Sequence, residues 1–344
     1  MSCSVTGFGT LPSGEQTHLY TLTNSSGASV SMSDYGATLV RCIVPDKAGK
    51  LADITLGFDS VDTYTGHAGS IGGLCGRFAN RIARGELIID GKTYRLPLND
   101  GKNHLHGGIN GFNQVLWTAE AKDDSVCFTL FSPDGDNNYP GNVKASVTYT
   151  WTEENMLRLS YYAETDAPTV INLTSHAYWC MDGADGRTAK NTLLKINAGY
   201  CTPITPEVIP DGSVAPVEGA LDFRKEKSVA EGLAQTCDQL TYGSGFDFNY
   251  IIDGEGLREA ATLTGPESGR RLSVYTTEPA MQFYSGQHLG NFAGKGGAVY
   301  APFTGLAVET QHYPDSPHHP EWPSVMLLPG KPFTSLTEFR FDCI

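Results

Sequence analysis

Apolar and polar positions alternate through much of this 344-residue chain. Between 115 and 165, Val126, Phe128 and Leu130 share one face, as do Val147, Tyr149 and Trp151, then Leu157, Leu159 and Tyr161. A period of two marks half-buried antiparallel strands, because successive strand side chains point to opposite faces. SPDGDNNYPGN is then the loop between two of these strands. Upstream, HLYTLTN and ASVSMSDYGATLVRCIVP carry β-branched and aromatic residues punctuated by Gly, Asn and Pro, with PDKAGK as a turn and ADITLGF as a short strand. ELIIDGKTYRL reads as a hairpin turning at Asp90–Gly91, and RLSVYTTEPAMQFYSGQHL as a strand, a turn at Pro279 and a second strand carrying Gln282. The one helix candidate is EKSVAEGLAQTCDQL, about 226–240, and its Gly232 counts against it. Neither an internal repeat nor a low-complexity linker divides the chain. The expectation is one all-β domain over 1–344, a large antiparallel β-sandwich with few short helices.

Composition agrees with a turn-rich, helix-poor fold: 39 Gly, 19 Pro and only 18% charged residues. The net charge of −14 sets nucleic acid and anionic membranes aside as partners and favours a small neutral substrate. The start, MSCSVTGFGTLPSGEQ, lacks the basic and apolar regions of an export signal, and no segment is long and apolar enough to span a bilayer. The eight cysteines are scattered without a CxxC pair, which suits free thiols in a reducing cytoplasm better than a disulfide framework or a metal site.

Candidate chemistry is spread along the chain. In AVETQHYPDSPHHPEWPSVMLLPG, 307–330, Glu309 ends an apolar run before a proline-rich loop. It is either a strand-end carboxylate facing water or a functional acid. GHAGSIGGLCGRFANRI is not a phosphate loop, since neither GK[ST] nor a strand–GxGxxG–helix unit is present. It does carry Arg77, Asn80 and Arg81, whose fixed donors suit hydroxyl groups or, equally, backbone carbonyls. His104 and His106 would share one face of a strand, and HxH without a third ligand is a weak metal motif. Gly107 and Gly108 suggest a tight turn or close backbone approach. His176 follows an apolar stretch beside Tyr178 and Trp179, and by itself reads as a satisfied core histidine. Asp247 precedes a strand.

GRFANRI, NHLHGG, TSHAYW, GFDFNY, PAMQFYSGQ and VETQHYPDSPHHPEWPSVMLLPGKPF occur in that order. Together they resemble the aldose 1-epimerase (galactose mutarotase) family over nearly the whole chain. The resemblance implies a β-supersandwich with a sugar in an open groove, interconversion of the α and β anomers of free aldoses such as glucose and galactose, and no cofactor or metal. Carried over by motif, Glu309 matches the catalytic base and His176 the catalytic acid. Asn80, Arg81, His106, Asp247 and Gln282 match sugar-binding residues, and Arg77 is grouped with them. Phe248, Cys180, His318 and His319 depart from the family pattern, which puts the preferred sugar in question rather than the reaction. Tyr178, Trp179 or Trp322 would cover an apolar sugar face or pack in the core.

The implied chemistry suits the residue types. Ring opening removes a proton from the C1 hydroxyl and delivers one to O5, and a positioned base and acid can each contribute roughly 10²–10⁴-fold. Burial raises a carboxylate towards neutrality, and a histidine near its ordinary pKa can be an imidazolium at neutral pH. Three rivals stand beside this reading. A hexose-6-phosphate relative would need a basic pocket, a sugar-binding module would not turn over, and a glycoside hydrolase would need two carboxylates flanking one bond. A monomer or weak homodimer in the cytoplasm completes the expectation.

Overall fold

The stretches with a two-residue period form strands in the computed structural model, which describes residues 1–66 and 70–344. The fold is mostly β, with three short α-helices among the described residues. Its largest sheet has nine antiparallel strands, in the order Thr118–Ala121, Ser125–Ser132, Val143–Trp151, Met156–Thr165, Phe333–Cys343, Arg270–Thr276, Arg258–Thr264, Leu193–Ile196 and Lys227–Ser228. A six-stranded sheet runs Tyr178–Trp179, Leu306–Gln311, Ala280–Tyr284, Asp247–Ile251, Tyr200–Thr202 and Ala215–Pro216. The turn at Pro279 carries the chain from the first sheet to the second. A five-stranded sheet formed from residues 2–53 joins them, with the Tyr149 hydroxyl donating to Ala37 O across 2.8 Å.

The two large sheets face each other through one apolar core. Phe128, Leu159, Val274 and Phe339 come from the nine-stranded side, and Phe248, Tyr250, Phe283 and Val308 from the six-stranded side. Trp179 lies 5.1 Å from Phe339 and 5.5 Å from Phe341 between ring centroids. Such aromatic pairs fill an intersheet layer because each ring removes a large apolar area from water. The pleat then decides what the six-stranded sheet presents on its other side. Phe248, Phe283 and Val308 point into the core, so Asp247, Gln282 and Glu309, at alternate positions, point away from it.

The hairpin is built as its sequence indicates: Glu86–Ile89 pairs with Lys92–Arg95, and Asp90 and Gly91 take φ of 50° and 74°. The helix candidate is only half right. Val229–Leu233 and Asp238–Gly243 are two short helices, the first opened by a Ser228–Glu231 capping box. Ser2–Thr10, not foreseen as a strand, pairs with Gln16–Thr23 and is mostly exposed, so it lacks the buried alternate positions that betray a strand. Of the glycine-bearing stretch GHAGSIGG, residues 67–69 lie outside the described residues.

Candidate active site

Glu309 lies within the six-stranded sheet rather than at a wet strand end. It is the fourth residue of Leu306–Gln311, pairs with Gln282, and is 2% exposed. Its neighbours on that face are Asp247, opposite Tyr284, and Tyr178, opposite Ala307. His176 arrives from another direction, directly after the short strand Thr174–Ser175 that pairs with Leu74–Cys75. Its Nε2 stands 3.7 Å from Glu309 Oε1, and its ring stacks on Tyr178 at 4.9 Å. The third wall is the pair Arg81–Ile82 and His104–Leu105. These walls enclose a pocket of about 320 Å³ whose lining includes Asn80, Arg81, His106, His176, Asp247 and Glu309.

The histidine pair expected on one face diverges. His104 donates from Nδ1 to Pro97 O at 2.7 Å, which leaves Nε2 to accept from the Tyr139 hydroxyl at 2.6 Å, inside a small core. His106 has φ of 50°, which breaks the pleat and swings its ring into the pocket. There the Asn80 backbone N–H donates to His106 Nδ1 at 3.1 Å, and the His106 N–H donates back to Asn80 O at 3.2 Å. An N–H aimed at Nδ1 puts the ring proton on Nε2, so neutral His106 is a hydrogen-bond donor to the pocket. Asn80 itself is left-handed (φ 67°), and its Oδ1 accepts from the Arg81 N–H at 2.9 Å. Gly107 follows with φ of 85°, and a Cβ there would run into Gly76 O.

Arg81 is held from two sides. Its Nε donates to Asp100 Oδ2 at 2.7 Å and its Nη1 to Asp247 Oδ2 at 3.3 Å. Burial pulls its pKa down, but the two carboxylates outweigh that and leave it raised. Gln282 does not line the pocket; its Nε2 donates to Asp247 Oδ1 at 2.6 Å, holding that carboxylate from behind. Asp315 pins the same strand, its N–H donating to Arg81 O and its Oδ1 accepting from the Ala83 N–H, both at 2.8 Å. Neither Asp100 nor Asp315 was marked out by sequence, because each acts through a loop that returns to Arg81 or Ala83.

Arg77 is the correction. It is 2% exposed and absent from the pocket lining, and its guanidinium donates to the carbonyls of Ser132, Pro133, Pro140 and Gly141 and to Ser132 Oγ. Both of its Nη groups are committed to the 132–141 loop, so it ties backbone together away from the pocket, as a structural arginine does. Trp179 sits in the core and Trp322 packs on His319 at 4.0 Å, which leaves Tyr178 as the pocket aromatic among those three. The departures also lie off the pocket. Phe248 is core, the Cys180 thiol donates to Thr304 O, and His318 Nδ1 bonds Asp315 Oδ1 at 2.6 Å.

Burial sets the protonation of the pair. Desolvation, with Asp247 adding to it, pushes the Glu309 carboxyl well above its usual range, and desolvation pushes His176 down to about 4. His106 is driven well below its ordinary value by burial first, then by His176 and Arg81. Burial thus works against the charged form of both groups, and the imidazolium expected at His176 is disfavoured at neutral pH. His106, His176 and Glu309 also place one ligand atom each within 4.8 Å of one another, close enough to test as a metal trio. The donor chemistry fits poorly, since a cation on His106 Nε2 would displace the proton that the Asn80 N–H keeps there. The arrangement suits proton transfer to and from a ligand that carries several hydroxyls.

Comparison with known proteins finds relatives along nearly the whole chain. The aldose 1-epimerase family pattern matches residues 18–340. The galactose mutarotase of Mus musculus is 39% identical over 99% of both chains, and the aldose 1-epimerase of Escherichia coli (strain K12) 38% identical over 96% of both. The crystal structure of a GalM/aldose epimerase homologue from C. elegans superposes with a TM-score of 0.88 at 31% identity, covering 94% of this chain and 98% of that one.

Proposed function

This chain belongs to the aldose 1-epimerase family and is a mutarotase, and on that premise we propose that Glu309 and His176 are the pair that opens and recloses the sugar ring. The observation that carries this reading is their meeting, 3.7 Å apart and both buried, in a pocket lined mostly by residues with hydrogen-bonding groups. Burial disfavours ionising either group, which favours passing one proton between the pair and the sugar. In the productive form Glu309 takes the C1 hydroxyl proton while His176 gives one to O5, and C1–O5 breaks. The aldehyde turns about C1–C2. The two groups then exchange roles and the ring closes on the other face.

His106, fixed as an Nε2–H donor, steadies charge on a ring or hydroxyl oxygen. Arg81, Asn80 and Asp247 hold the remaining hydroxyls, with Gln282 supporting Asp247, so that C1 alone is free to turn. We read the substrates as free hexoses, galactose and glucose first. Among the described residues Arg81 is the one Arg or Lys in the lining, and Asp100 and Asp247 share that lining, which argues against a hexose phosphate. The family match from 18 to 340 supports one domain across the chain, and eight free cysteines support a reducing, cytoplasmic setting for a monomer or weak homodimer.

The test is polarimetry of freshly dissolved α-D-galactose and α-D-glucose as a function of pH. Relaxation should exceed the buffer rate, with an acid limb at about 4, below which His176 is protonated beside a Glu309 whose carboxyl already favours its proton, so that no base remains. Buffer-level relaxation of both sugars at every pH contradicts the reading.

A further inference from the structure

Asp100 stands outside the acid–base pair but shares its pocket. It sits where the chain turns into the strand His104–Leu105: the Asp100 N–H donates to Asn103 O at 3.1 Å, and the Asn103 N–H to Asp100 O at 2.9 Å. Asn99 locks this turn. Its Nδ2 donates to Leu105 O at 2.9 Å and Gly108 O at 3.2 Å, while its Oδ1 accepts from the Leu105 N–H at 2.8 Å. Leu105 in turn pairs with Arg81. The Asp100 carboxylate therefore reaches Arg81 Nε, at 2.7 Å, from a backbone with little freedom.

With Asp247 on Nη1, the guanidinium is clamped on two edges. No described protein acceptor takes its remaining N–H groups, which are left for a ligand. The two carboxylates also offset the arginine's charge. Asp100 is the more open of the two, its side chain 35% exposed against 13% for Asp247, so its negative charge stands nearer the mouth.

We propose that Asp100 is a positioning and specificity-determining residue, which fixes Arg81 for neutral hydroxyls and turns away aldoses that carry an anionic group, such as a C6 carboxylate. The proposal rests on reading the pocket as the sugar site. An anion entering beside Arg81 would meet a cation already matched by one carboxylate and exceeded by the second. Asparagine at 100 keeps an oxygen in reach of Arg81 Nε but removes the charge. Alanine removes both, so the two substitutions separate specificity from positioning.

The experiment measures equilibrium binding of D-galactose and D-galacturonate to the full chain by calorimetry, together with kcat and KM for galactose, in wild type, Asp100→Asn and Asp100→Ala. Wild type should bind galacturonate at least about tenfold more weakly than galactose, and Asp100→Asn should narrow that ratio by about tenfold. Added salt should narrow the ratio more in wild type than in Asp100→Asn. Asp100→Ala should raise KM by about tenfold while kcat falls less. An unchanged galacturonate-to-galactose ratio in Asp100→Asn overturns the specificity role. Loss of kcat at constant KM in Asp100→Ala overturns the positioning role. Should Asp100→Ala not fold, the binding ratio in Asp100→Asn decides alone. A ratio that responds as expected in a protein that turns over no aldose would leave Asp100's role standing and remove the epimerase mechanism.

Discussion

Arg77 and Arg81, four positions apart, differ in what their guanidinium groups meet. Arg77 faces carbonyls of the 132–141 loop, and Arg81 faces two carboxylates and the pocket. Arg77→Lys should lower stability by on the order of 2–3 kcal/mol, since several buried carbonyls lose charged donors, while KM for galactose stays put. Thermal unfolding and steady-state kinetics check this; a raised KM with unchanged melting temperature would return Arg77 to the sugar. Sequence could not separate these two residues, because the choice depends on which loop folds back over each. The same holds for His104 and His106, where a left-handed residue reversed an expectation drawn from strand pleat. Asp247 and Glu309 were picked out by their place in the family motifs, since by local context alone each reads equally as an acid facing water. Asp100 was not, since an Asp beside Gly101 in a loop reads as turn chemistry.

At the scale of elements, period-two alternation places Asp247, Gln282 and Glu309 on one side of three neighbouring strands and Phe248, Phe283 and Val308 on the other. That much of the site follows from pattern alone once the strands are paired. Pairing itself was not legible, because Ala280–Tyr284 and Arg270–Thr276 follow each other in sequence yet lie in different sheets. The helices show propensity yielding to packing. Gly232, which argued against a helix, is inside one, and a Cβ there would lie 2.7 Å from Phe246 and 3.1 Å from Phe223. Gly→Ala within a helix usually stabilises by roughly 0.5–1 kcal/mol. Gly232→Ala should instead destabilise by about 1–3 kcal/mol, because two core rings must move. Denaturant unfolding measures the sign, and a stabilised variant would contradict the packing account.

Across the whole molecule, the same burial that tunes the site leaves a pH signature in stability. His104 and His176 fall from an ordinary 6.5 to about 4 in the folded chain. Between those values the unfolded chain binds more protons at these two residues and at His106, three groups set against the opposite pull of the raised Glu309 carboxyl, so stability should decline as pH falls from 6.5 towards 4. Melting temperatures across that window check it, and a melting temperature that rises on acidification would contradict it. The central claim is also one of the whole molecule: residues 176 and 309 are brought to 3.7 Å by strands in separate sheets, and their pairing performs the reaction. The most direct measurement is polarimetric kcat for α-D-galactose with wild type and Glu309→Gln, alongside galactose binding by calorimetry. Glu309→Gln keeps the side chain's shape and removes its proton chemistry, so kcat should fall by roughly 10²–10⁴-fold while galactose still binds within about tenfold of wild type. A Glu309→Gln enzyme that binds galactose and relaxes it at the wild-type rate would contradict the account.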